Sequence, residues 1–104
     1  KVALAFTDQY EAKYGPNTMT QFAGDAMGAW MLLDAAVARA LKSGKAPGTP
    51  EFRAALRDEI EKTRNLTVPN GVLNISDSEH QGFDERARVM AVIKDGKFSY
   101  APAK

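Results

Sequence analysis

The stretch NISDSEHQGFDERARV, residues 74 to 89, gathers the only histidine of the chain, His80, with Asp77, Glu79, Asp84, Glu85 and a following Gly82. An imidazole beside carboxylates and serines is the raw material of general-base catalysis. Asp77, Glu79 or Asp84 could orient the ring, and Ser76 or Ser78 could be acted on. No recognisable nucleophile motif surrounds those serines, however. The same run offers oxygen ligands to a metal, but not the alternating acidic spacing and terminal glutamate of a calcium loop. One histidine without any cysteine is a weak zinc set. The expected role of the run is therefore a solvated loop. In it Asp77 or Ser78 closes a side-chain turn and Gly82 supplies an unusual backbone angle. No catalytic residue, metal or cofactor is expected.

A second candidate is Asp25, set in the otherwise apolar and small stretch FAGDAMGAW. A buried carboxylate needs a partner, so Asp25 should either cap a helix or face a cleft. Trp30, Phe22 and the methionines could line a ligand pocket, but at helical spacing such residues ordinarily build the core. Asn65-Leu66-Thr67 and Asn74-Ile75-Ser76 fit the glycosylation pattern, which arises often by chance.

The elements that must carry these residues follow from period and punctuation. Residues 2 to 14 read as an amphipathic helix with Ala3, Phe6, Tyr10 and Tyr14 on one face, stopped by Gly15-Pro16. Residues 18 to 43 read as a long helix with Phe22, Trp30, Leu33, Val37 and Leu41 in a stripe. Gly24 and Gly28 inside it each cost about 1 kcal/mol relative to alanine. A second backbone packed closely against them would compensate. Thr49 caps a third helix with Pro50 in its first turn; Phe52, Leu56 and Ile60 form its buried stripe. Arg57 with Glu61, and Asp58 with Lys62, are spaced to pair across one helical turn. Beyond residue 64 the period changes. LTVPNGVLNIS reads as a strand leading into the turn-rich loop, and RVMAVIKDGKFSYA as a hairpin turning at Asp95-Gly96. Val89, Ala91 and Ile93 on one face and Met90 and Val92 on the other suggest a strand buried on both sides in a larger sheet.

The totals narrow the class. The 104 residues allow one modest core, and 44% hydrophobic with 26% charged residues is a globular composition. Fourteen basic against thirteen acidic residues give a formal charge of +1, without the basic excess of a nucleic-acid binder. The absence of cysteine excludes disulfides and thiolate chemistry. No stretch is apolar enough to span a bilayer as a helix. The chain opens without methionine, as if inside a helix, and is expected to be a piece of something longer.

Taken in order, an F…Y…KYG helix, a P…FAG start to a long apolar helix, GTPEFRAALRDEIEKTRNL and NGVLNISDSEHQGFDERARVMAVIKDGKF resemble a known family. They are similar to the carboxy-terminal part of periplasmic solute-binding proteins of the branched-chain amino acid (hydrophobic amino acid and amide) ABC importer type. The resemblance covers nearly the whole chain. It implies an α/β chain that is part of a two-lobed type I periplasmic-binding-protein fold, with about three helices followed by about three strands. Residues 1–17 would end the second lobe, 18–86 would form part of the first, and 87–104 would make the final crossing and second-lobe strands. Within 18–86, residues near 18 to 24 would themselves be a crossing between the lobes. Ligand would lie in the cleft between lobes that close on a hinge.

The resemblance further implies a non-enzymatic periplasmic receptor for a small amino acid or an aromatic or apolar carboxylate, docking to ABC permease subunits. His80 resembles a position often held by histidine in a structural role. Of the ligand shell, only the crossing near Thr20 to Asp25 falls within this chain. Gln21 and Asp25 are expected to offer hydrogen bonds there and Phe22 an apolar wall. The family often carries an aromatic residue followed by Asp-Ala at the start of the long helix. Met27, Gly28 and Ala29 stand there instead, small and flexible residues that would reshape the cleft or simply the packing. Two rival readings fit the same residues. One is a sensory domain of the same fold; the other is a free-standing small α+β enzyme or interaction domain using the His80 loop. Taken alone, the chain is expected to self-associate or pair with the missing amino-terminal part.

Overall fold

In the computed structural model, which describes residues 1–101, three helices precede four short strands arranged as two separate antiparallel pairs. The final residues of the segment 87–104, from 102 on, lie outside the described residues.

Helix α1, Val2–Tyr14, carries the expected aromatic face. The Phe6 and Tyr10 ring centroids stand 5.8 Å apart and those of Tyr10 and Tyr14 4.7 Å apart. Gly15 at φ 102° ends the helix, its N–H donating to the Glu11 carbonyl. Helix α2, Gln21–Ala40, starts where Thr20 leaves helical geometry and its Oγ1 accepts from the Ala23 N–H at 3.3 Å. The expected start at residue 18 is thus displaced to the cap. At the far end Leu41–Ser43 tightens into a 3-10 turn before Gly44 at φ 73°. Helix α3, Pro50–Glu61, is capped as expected: Thr49 Oγ1 accepts from the Phe52 N–H at 3.2 Å.

The reading of LTVPNGVLNIS as one strand is corrected. It folds back on itself as β1, Leu66–Val68, and β2, Gly71–Leu73, with Val68 opposite Gly71. Pro69-Asn70 is a turn because proline presets φ and lacks the N–H a continuing ladder needs. The final hairpin, β3 Ala91–Lys94 and β4 Lys97–Tyr100, forms as expected around Asp95 (φ 50°) and Gly96 (φ 73°). Two successive positive φ values are the primed turn that matches strand twist.

The core is small and consists of Ala36, Ala40, Phe52, Ala55, Val68, Leu73 and Ile75. Here the expected stripe of α2 is corrected. Phe22 is 82% exposed and Trp30 61%, and Leu33 and Leu41 are exposed too, while Gly24, Gly28, Ala36 and Ala40 are buried. The helix packs through its small-residue face because α3 and the β1–β2 hairpin lie too close for larger side chains. A Cβ on Gly24 would collide with the Asn70 side chain, and one on Gly28 would touch Val68 at 3.4 Å. Side chains of the hairpin, not a bare backbone, occupy the space the glycines leave. On α3, Phe52 and Ala55 are buried, whereas Leu56 and Ile60 are only half-buried beside Leu32 and Ile75.

Polar groups join these pieces. The Arg39 guanidinium bridges α2 to α3. Its Nε donates to Glu59 Oε2 at 3.1 Å, and its Nη2 to the Glu59 carbonyl at 2.8 Å and to the buried Thr63 hydroxyl at 3.1 Å. Lys62, and secondarily Arg39, hold the Glu59 carboxyl below the ordinary carboxylate range. Arg64 Nη1 donates to the carbonyls of Glu61, Thr63 and Ile75. The expected pairs Arg57–Glu61 and Asp58–Lys62 are not the ones formed. Arg57 binds its neighbour Asp58 at 2.6 Å and Lys62 reaches Glu59 at 2.8 Å. Exposed side chains choose among several carboxylates within reach at little energetic difference.

The strand 88–94, expected to be covered on both faces only within a larger sheet, pairs here with a single neighbour and is exposed on both. Val89, Met90, Val92 and Ile93 face solvent on one strand, as do Phe98 and Tyr100 on the other. The Cα radius of gyration, 17.0 Å, exceeds the roughly 13 Å of a compact domain this long, and the extents are 56 × 33 × 21 Å.

Candidate functional site

The His80 loop is held by its own polar side chains. Ser76 Oγ accepts from the N–H groups of Ser78 at 3.4 Å and Glu79 at 3.0 Å. Glu79 Oε1 accepts from Gln81 N–H at 2.6 Å and Gly82 N–H at 3.3 Å. The side-chain turns expected of Asp77 or Ser78 are therefore made by Ser76 and Glu79. Gly82 does take an unusual angle, φ 77°, and a Cβ there would press on Ile75 and Leu73. His80 projects outward, with 65% of its side chain exposed. Its Nε2 lies 3.3 Å from Glu61 Oε1, which ties the loop to the end of α3. No serine is bonded to the imidazole, and no group of three or more metal-ligating side chains converges among the described residues. Further on, Asp84 caps a 3-10 turn, Glu85–Ala87. The Arg86 guanidinium, helped by the Arg86 N–H, draws the Asp84 carboxyl down to about 2.

The three expected binding residues sit together at the start of α2, but the structure uses them differently. Asp25 does not cap the helix, a role Thr20 fills. Its Oδ1 instead accepts from Asn70 Nδ2 at 2.6 Å, and the same amide donates to the Gln21 carbonyl at 2.9 Å. Gln21 is thus engaged through its backbone, and its side chain is exposed. Phe22 points to solvent and lines none of the principal pockets. Asn70, absent from the expected set, joins the start of α2 to the β1–β2 turn. The signal for it was the Pro-Asn-Gly triplet, a turn in its own right.

Two concavities flank this region. A groove of about 570 Å³ runs between α1 and α2, with Phe6, Tyr10, Tyr14, Met27 and Trp30 on its walls. A smaller pocket of about 240 Å³ lies between α2, β2 and the His80 loop, with Asp25, Leu73, Gln81 and Phe83 among its lining residues. Among the described residues, no helix is long and apolar enough to cross a membrane.

No family model and no curated protein matches the chain. Solved structures do. One extracellular ligand-binding receptor from Rhodopseudomonas palustris is 36% identical with a TM-score of 0.87, over 98% of this chain and 28% of that one. A second, from strain HaA2, is 34% identical with a TM-score of 0.85, over 95% and 28%. A third, also from strain HaA2, is 40% identical with a TM-score of 0.78, over 96% and 27%. The chain spans less than a third of the length of these receptors. At this identity over nearly every residue, and with the fold just described, the chain belongs to the extracellular ligand-binding receptors of the type I periplasmic-binding-protein kind.

Proposed function

We propose that the chain is the carboxy-terminal segment of a non-enzymatic, periplasmic solute receptor that feeds an ABC importer. The observation that carries this reading is the 36% identity over 98% of the chain to an extracellular ligand-binding receptor. Residues 1–17 would belong to one lobe, 18–86 to the other, and 87–104 would return to the first-named lobe. The pattern of exposure supports this division. Tyr14 at the end of α1, the Phe22–Trp30 side of α2 and both faces of β3 are apolar and exposed, as surfaces completed by other parts of a two-lobed receptor would be. Permease subunits would be the protein partners.

The ligand in this reading is a small amino acid or an aromatic or apolar carboxylate held between the lobes, with Gln21, Phe22 and Asp25 contributing from the crossing. The test is calorimetric titration of the receptor containing this sequence with leucine, phenylalanine and benzoate. One of these classes should bind, and Phe22→Ala or Asp25→Asn should weaken it. Binding of none, or binding indifferent to both substitutions, would contradict the assignment.

A further inference from the structure

The pocket between the start of α2, β2 and the His80 loop is lined by residues of this chain, and its chemistry is specific. Leu32, Leu73 and Phe83 supply apolar wall, and Asp25, His80 and Gln81 supply polar groups, in about 240 Å³. A few convergent polar groups in an apolar concavity are the usual make-up of a small-molecule site. At about 30 Å³ per water, the space suits a ligand of roughly eight non-hydrogen atoms.

Asp25 decides the charge of that ligand. It is half-buried, and its hydrogen-bond partner is the neutral Asn70 amide, on Oδ1 at 2.6 Å. Among the described residues, no lysine, arginine or histidine forms an ion pair with it. An amide satisfies one lone pair without neutralising the charge, and a partly desolvated carboxylate favours a cation beside it. Asn70 cannot easily turn away, because its amide also donates to the Gln21 carbonyl at 2.9 Å and its side chain fills the space above Gly24. His80, on the pocket wall, has its Nε2 directed to Glu61. Phe83 adds an aromatic ring, a further attraction for a cation.

We infer that this pocket binds a small hydrophobic primary ammonium, with Asp25 as the anionic acceptor and Asn70 as the residue that positions it. Asp25 also lies on the crossing invoked above, so the two readings are separated by where the shifts fall: Leu73, Gln81 and Phe83 line this pocket, whereas Gln21 and Phe22 do not. The test is an amide-resolved NMR titration of the 104-residue chain with isopentylammonium chloride, and with 4-methylpentanoate as the anion of matched shape. The ammonium should give saturable shifts at Asp25, Leu73, Gln81 and Phe83, and the carboxylate none there. Asp25→Asn keeps the shape and should weaken binding about tenfold or more, the usual worth of a hydrogen bond to a charged group. Asp25→Glu, which keeps the charge, should retain the preference for the ammonium. Asn70→Ala should weaken binding, and Asn70→Ser, which still donates, should restore part of it. Equal binding of both probes, indifference to Asp25→Asn, shifts confined to the α1–α2 groove, or no saturable shift would each overturn the proposal.

Discussion

The unit made of α2, α3 and the β1–β2 hairpin and the pair made of α1 and the β3–β4 hairpin solve the same folding problem to different degrees. In the first, small residues on one helix face let two elements close in, and Phe52, Val68, Leu73 and Ile75 become buried. In the second, local rules alone shape the backbone: an aromatic ladder along α1 and an Asp-Gly turn in the hairpin. None of the α1 residues is buried, and Ile93 faces Phe98 across the hairpin with both side chains largely in solvent. Hydrophobic composition is therefore no guide to which apolar residues this chain covers. What decides it is whether a partner surface within the chain has the right shape.

The sharpest way to break this contrast is to truncate one phenylalanine from each region. Phe52→Ala should cost about 3 kcal/mol, as removal of a buried aromatic does, read as a lowered urea midpoint. Phe98→Ala, at a residue 84% exposed, should change stability by less than about 0.5 kcal/mol. Similar costs at both positions would erase the distinction. Next in size is Gly24→Ala. The added methyl must expel the Asn70 side chain and break its two hydrogen bonds, at a cost of about 1–3 kcal/mol on the same urea scale. Replacing the cap, Thr49→Ala, should cost about 1 kcal/mol and fray the first turn of α3, visible as faster exchange of the Phe52 N–H.

The smallest effect is that of pH at the edge between the regions. Asp84 is drawn from its ordinary 3.8 to about 2 by Arg86. Its folded value is the lower one, so its contribution is fully present above the ordinary carboxylate range and is lost as pH falls through about 2. The Arg86 amide resonance should follow that titration, whereas a midpoint near 3.8 would mean that the Asp84–Arg86 contact does not persist in solution.

Most of the element pattern was legible in the sequence because it rests on neighbours along the chain. Thr49-Pro50 and Gly15-Pro16 mark helix ends, and Asp95-Gly96 marks a turn, whatever surrounds them. Pro69-Asn70 is hidden because alternation on either side of it resembles one continuous strand. The buried face of α2 is illegible for a different reason. Large apolar residues and small ones both follow the helical period, and only the distance to α3 and the hairpin selects between them. Asp25 stood out correctly as a carboxylate in need of a partner. That partner, Asn70, lies 45 residues away, and no local spacing announces such a contact.

The most direct measurement is residue-resolved hydrogen exchange on the chain alone. A chain packed on one side and left open on the other, as a receptor segment would be, should exchange slowest in α2, α3 and β1–β2. The amides of α1 and β3–β4 should exchange faster by about a hundredfold or more, since little beyond local bonding protects them. Protection in β3–β4 equal to that in α2 would contradict the account, because it would mean that the hairpin's apolar faces are already covered.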